Sequence, residues 1–255
     1  NIKKPKQIKI NMVKGASIKF HSYNETVPKI LELLKLQHEI KKYDKIILKP
    51  FLSEDEEKST PREFVEATLK FVLQYKNPIT EIFIAEGADG IPTEDLFESL
   101  GYKKLAEQYS VSLIDLNNTE TEEMEHAEFL KFQTINYPKI LLNSFLISLS
   151  KISEDEETHI SGSLSNMLGL YPSSHYKGFF SKTKNKIRKW PIKYSIHDMA
   201  KIKMPDFSII DASSKGLILA GLPLELDKQA AKLLDKDWRN VPYIKLIDDS
   251  IPKDK

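Results

Sequence analysis

Several short apolar runs end in a residue that can do chemistry. Lys49 closes KIILK, Glu86 follows EIFIA, Asp115 closes SLID, Asn143 closes KILLN and Asp211 closes DFSIID. In an open parallel sheet, ligands sit beyond the carboxyl ends of the strands. If these runs are parallel strands, one sheet edge gathers all five residues. Asp89 lies three residues past Glu86 in a loop flanked by Gly87 and Gly90. Carboxylates that share a cleft repel one another and need a divalent cation, a lysine or a shared proton. Oxygen-only ligands favour Mg²⁺ or Mn²⁺ over zinc. The expected metal set is therefore Glu86, Asp89, Asp115 and Asp211, with Asp115 and Asp211 also available as proton carriers. Lys49 and Lys151 would neutralise an anionic small-molecule substrate. His159 would be the general base, because an imidazole titrates near working pH. A plainer reading of the same acids stands beside this one: Asp and Glu after strands also serve as turn formers and helix caps.

Gly87, Gly90 and Thr93 precede a helical pattern, and exposed amides at a helix start accept anions such as phosphate. The stretch EGADGIPT is neither a G-x-G-x-x-G fingerprint nor a P-loop, however. Its glycines also suit a turn that needs positive φ. No G-x-S-x-G elbow or H-E-x-x-H pair occurs, which argues against a serine hydrolase and a histidine zinc site. His197 stands beside Asp198, but neighbours in sequence need not point the same way. The chain has no cysteine, so it builds no disulfide, thiolate centre or iron–sulfur cluster.

A formal net charge of +1 predicts no polyanionic partner from global electrostatics. The local exception is Tyr176 to Lys193, which holds seven basic residues and no acid. Lys182, Lys184 and Lys186 could track a phosphate backbone while Phe179, Phe180 or Trp190 stack on bases. This is the alternative function, a non-enzymatic module that binds nucleic acid or a protein partner. The segment could equally dock on the acidic stretches at 54–57, 120–128 or 154–157.

The elements that must position these residues follow from periodicity. Strand patterns at Ile8–Val13, Lys45–Lys49, Glu81–Ala85 and Val111–Leu116 alternate with helical patterns beginning near Thr26, Thr60 and Thr93. In the second of these, Thr60 caps, Pro61 occupies the first turn and Glu63 completes a capping box. Further strands are expected at Lys139–Asn143, Asp206–Asp211 and Lys215–Ala220. A helix begins at Pro223, and a last short strand or helix covers Val241–Ile247. This rhythm predicts an α/β fold with a mostly parallel open sheet and helices on both faces. A single domain over 1–255 is expected, with any lobe boundary within 117–138. No apolar run long enough for a signal peptide follows Asn1–Lys6, and none approaches a membrane span. A cytoplasmic location is the corresponding expectation.

The segment IFIAEGADGIPTEDLFESLGYKKLAEQYSVSLIDLN (82–117) resembles the uncharacterised DUF362 family. The match runs through Glu86-Gly87, Thr93, Phe97, Gly101-Tyr102 and Asp115. Leu48–Pro50 with Thr60-Pro61 is similar to the family's Lys-Pro-Asn and Thr-Pro elements. Lys151, His159 and Ser161–Gly169 resemble its Lys-x-His and Lys-Asn-x-x-Gly runs. His197, Asp198, Pro205, Asp211 and Asp227 complete the pattern. The resemblance covers most of the chain and implies no particular reaction. Some relatives carry a ferredoxin-type domain, for which this chain has no cysteine. Three positions depart from the family: Phe51 replaces Asn, Ser165 replaces the Lys before Asn166, and Ala212 replaces Gly.

Overall fold

The computed structural model describes residues 15–177, 187 and 191–252. The expected strand Ile8–Val13 lies outside them. The first described strand is β1 (Gly15–Lys19), followed by α1 (Tyr23–Leu33) and α2 (Leu36–Ile40). One continuous helical pattern is thus broken in two, at Lys35, whose φ is 58°. Next come β2 (Lys45–Lys49), α3 (Arg62–Tyr75), β3 (Glu81–Glu86), α4 (Thr93–Ser99), α5 (Tyr102–Tyr109) and β4 (Ser112–Asp115). A hairpin follows, β5 (Thr121–Met124) with β6 (Ile135–Pro138), and then β7 (Phe145–Lys151). A second small hairpin pairs β8 (Ser153–Asp155) with β9 (His159–Ser161). The chain continues through α6 (Ser173–Tyr176), α7 (Ile192–Ile202), β10 (Phe207–Ala212), β11 (Leu217–Gly221), α8 (Pro223–Leu233) and α9 (Pro242–Ser250).

Seven strands form the main sheet in the order β1-β11-β10-β7-β2-β3-β4. β10, β7, β2, β3 and β4 pair in parallel, while β11 is antiparallel to both β10 and β1. Only β11 therefore runs against the rest. The fold is the expected α/β arrangement, with a mostly parallel sheet covered on both faces.

Alternate residues of each strand enter opposite cores, because successive side chains point to opposite faces. Leu48, Ile84, Leu149 and Ile209 pack with Val27, Ile30 and Phe64 of α1 and α3. Ile47, Ala85, Leu146 and Ile210 pack with Met199, Leu226 and Ile244 of α7, α8 and α9.

Two local expectations are corrected, and one open choice is resolved. Lys139–Leu141 is a 3-10 turn, and the strand begins at Phe145, so Asn143 precedes a strand instead of ending one. Asn143 itself has φ 56°. Thr60 does not cap α3; its hydroxyl accepts from Phe51 N at 2.9 Å and donates to the Leu149 carbonyl at 2.9 Å. That hydroxyl joins the ends of two strands, a stronger demand than a cap the proline start does not need. The segment after Val241 is a helix, with Pro242 in its first turn.

Segment 117–138, the expected place for a lobe boundary, holds the β5–β6 hairpin. Its turn is fastened to α7. Asp198 accepts from the amides of Leu130, Lys131 and Phe132 at 2.8, 2.8 and 3.1 Å. Among the described residues, no helix is long and apolar enough to cross a membrane.

Candidate functional site

Lys49 is the last residue of β2, and strand alternation points it to the same face as Ile47. There its ammonium is completely buried, while Glu86 at the end of β3 is 2% exposed. Lys49 Nζ donates to both Glu86 oxygens, at 2.9 and 3.0 Å, to Asn166 Oδ1 at 2.9 Å and to the Pro50 carbonyl at 3.2 Å. An ammonium has three protons, and these partners use them all. Glu86 Oε1 also accepts from its neighbouring amide, Gly87 N, at 2.7 Å. Asn166 completes the unit by donating to the Lys49 carbonyl and to Ser148 Oγ, both at 3.0 Å.

Burial dominates the electrostatics of this pair. It pulls Lys49 below the usual ammonium range against the attraction of Glu86. It pushes Glu86 above the usual carboxylate range against Lys49 and the Gly87 amide. Both displacements favour the neutral forms, so the two proton affinities approach each other. A proton shared between an amine and a carboxyl is the chemistry this arrangement offers. Tyr102, in the core packed with α1 and α3, feels the Glu86 charge; burial drives its hydroxyl well above the ordinary phenol range. That hydroxyl donates to the Thr60 carbonyl at 3.2 Å.

Two glycines make the close approach feasible. A β-carbon on Gly87 would lie 2.3 Å from the Gly169 carbonyl oxygen. Beside Glu86 lies a narrow cleft of about 30 Å³, lined by Phe51, Glu86, Asp89, Ser165, Asn166 and Gly169 among others, with Lys49 buried behind Glu86 and Asn166. The loop that carries Asn166 is held from behind by α8. Asp227, fully buried, accepts from Ser163 N at 2.6 Å, Leu164 N at 3.0 Å and Tyr243 Oη at 2.9 Å. Burial raises the Asp227 carboxyl from 3.8 to about 6, against these three donors. Gly162 is required here too, since its β-carbon would fall 2.5 Å from Asp227 Oδ1.

Of the residues expected at the site, Lys49, Glu86, Gly87 and Asp89 come together. The others do not. Asp115 lies beside Glu86 in register, yet it accepts from Asn117 N at 2.9 Å and Asn118 Nδ2 at 2.6 Å and so closes its own turn. Asp211 is buried and accepts from Tyr23 Oη and Ser213 N, both at 2.9 Å. Lys151 is the register partner of Asp211, and its ammonium donates to the Glu57 carbonyl at 2.5 Å. His159 is exposed at the start of β9 with φ 70°. Gly90 has φ 88° and open space around it, which is the turn reading of that glycine.

Among the described residues, no group of three or more His, Asp or Glu side chains could hold a metal ion. The four-carboxylate set Glu86, Asp89, Asp115 and Asp211 is thus not assembled, and a Mg²⁺ or Mn²⁺ centre does not fit the donors present.

His197 and Asp198 do meet, Nδ1 to Oδ1 at 2.8 Å, inside α7. Burial opposes ionisation of Asp198, but the histidine and three amides outweigh it and hold the carboxyl below its usual range. The pair anchors the β5–β6 turn. In the basic run, Phe179, Phe180, Lys182, Lys184, Lys186, Arg188, Lys189 and Trp190 lie outside the described residues.

Asn166 stood out in the sequence only as a position of the family pattern; nothing local signals that it reaches a lysine 117 positions earlier. Ser148 carried no signal at all, and Asp227 was marked only as a position of the family pattern, with nothing to show that it braces this loop.

One solved structure agrees with the fold. The chain is similar to the structure of the lactate racemase apoprotein from Thermoanaerobacterium thermosaccharolyticum, with a TM-score of 0.60 and 17% identity, over 88% of this chain and 58% of that one. It also matches a protein from Thermotoga maritima with a TM-score of 0.46 and 16% identity, over 89% of this chain and 59% of the other. The chain therefore spans just under three fifths of the length of both. No curated protein matches the sequence. The model of a domain of unknown function, DUF362, matches residues 46–216, a span that takes in Lys49, Glu86 and Asn166. With two thirds of its length inside that match and its buried lysine–glutamate unit wholly within it, the chain belongs to the DUF362 family.

Proposed function

We propose that this chain is a small-molecule enzyme that takes an anionic substrate at a widened form of the narrow cleft beside Glu86 and moves a proton with the Lys49–Glu86 pair. The observation that carries the reading is the fully buried lysine, bonded to a buried glutamate at the carboxyl ends of adjacent parallel strands. Burying an ion pair costs more than an apolar pair of the same volume in many proteins. A pair of groups whose proton affinities are drawn together by burial is suited to acid–base work. Asn166 fixes the ammonium, Gly87 N fixes the carboxylate, and Phe51 and Leu168 supply apolar walls. One protein of similar fold is a lactate racemase, and lactate is a small hydroxy acid of the proposed substrate class. Magnesium or manganese receives no role, because the expected carboxylates face different surroundings.

The test is a melting-temperature series with millimolar lactate, acetate and inorganic phosphate. A ligand that binds only the folded state raises the melting temperature. At least one of these anions should stabilise the wild type and leave Lys49→Met unaffected. An unmoved wild type, or equal shifts in both proteins, would defeat the proposal.

A further inference from the structure

Lys49, Ser148 and Ser208 occupy one register row across β2, β7 and β10, on the face covered by α7 and α8. Ser150 follows Ser148 on the same face, two residues along β7. All three serines are fully buried. Ser148 is satisfied: its hydroxyl donates to the Ser163 carbonyl at 3.1 Å and accepts from Asn166. The hydroxyls of Ser150 and Ser208 have no hydrogen-bond partner in the protein. They flank Ser148 on two sides, one along its strand and one across to the next.

A buried hydroxyl without a partner is destabilising, and native interiors rarely tolerate two in one patch. The remedy is an internal water, which needs a polar recess and two to four partners.

We infer that the hydroxyls of Ser150 and Ser208 bind an ordered internal water beside Ser148. Ser148 offers it a further acceptor lone pair. The water extends the chain Glu86–Lys49–Asn166–Ser148 toward β10. The site is independent of what the cleft binds.

Oxygen-17 magnetic relaxation dispersion counts water molecules held for longer than nanoseconds and is blind to exchange of hydroxyl protons. The wild type should show at least one more such water than the Ser150→Ala/Ser208→Ala double variant. Equal counts would overturn the inference. The single variant Ser208→Ala supplies a second readout if the double variant does not fold. Loss of a bound water should lower its melting temperature by about 2–4 °C for a chain of this size. An unchanged or higher melting temperature would mean that the hydroxyl was truly unpartnered, and the inference would fail.

Discussion

Gly169 sits so close to Glu86 that a β-carbon on it would lie 2.4 Å from Oε1 and 2.9 Å from Lys49 Nζ. The ion pair is therefore lidded by backbone. Replacing Gly169 with alanine should destabilise the fold by about 1–3 kcal/mol, the usual cost of overpacking a tight interior. Denaturant unfolding of Gly169→Ala measures this. A neutral result would show that the lid moves freely and that the close approach is incidental.

The energetics of the pair itself can be isolated. Removing one partner of a buried ion pair leaves the other uncompensated, at a cost of about 3–5 kcal/mol. Lys49→Met should show that loss. The double variant Lys49→Met/Glu86→Gln should recover part of it, because no buried charge remains. A double-mutant cycle reads the coupling. Additive losses would mean that the two groups do not act as a unit.

Asp227 should leave a mark on the pH dependence of stability. Its carboxyl is raised from 3.8 to about 6 by burial. Between these values the folded protein holds a proton that the unfolded chain has released, so stability falls as pH rises through this window. The contribution is fully present below the lower value and lost above the higher one. The stability of the wild type relative to Asp227→Asn should therefore decline from about pH 4 to about pH 6 and level off beyond, by the linkage rule. A flat difference across that range would contradict the raised carboxyl.

Thr60→Val keeps the shape of the side chain and deletes a hydroxyl that ties Phe51 N to the Leu149 carbonyl. Leaving those buried groups unpaired should cost about 1–3 kcal/mol. Thr60→Ser should retain most of the stability. If the two variants unfold alike, the hydroxyl is not the link between β2 and β7.

The strand–helix rhythm made the fold class legible, because short apolar runs between amphipathic segments leave few alternatives to a covered parallel sheet. The site was legible only in part, and strand alternation explains why. Lys49 and Asp211 both end apolar runs, yet Lys49 faces α7 and α8 while Asp211 reaches Tyr23 on α1. A residue at a strand end is at the right height but on an unknown face until the register is known. Lys151 and Asp211 are register partners, so they were gathered together, but on the face away from Lys49. Asp115 fell to local turn chemistry, which short-range spacing favours as readily as a shared site. The proline start of α3 misled in the same manner: Thr60 precedes Pro61 where a cap was expected, but it spends its hydroxyl on tertiary partners. Asn166 depends on a loop braced by Asp227 from α8, a relationship that no local pattern encodes.

The cleft beside Glu86 is tested most directly by following backbone amide signals while lactate, and separately phosphate, is titrated into the full chain. The amides of Gly87, Ala88 and Ser165 to Gly169 should shift together with one dissociation constant, and the same titration of Glu86→Gln should give a different constant. Shifts confined to other surfaces, or none with either anion, would contradict the assignment of this cleft.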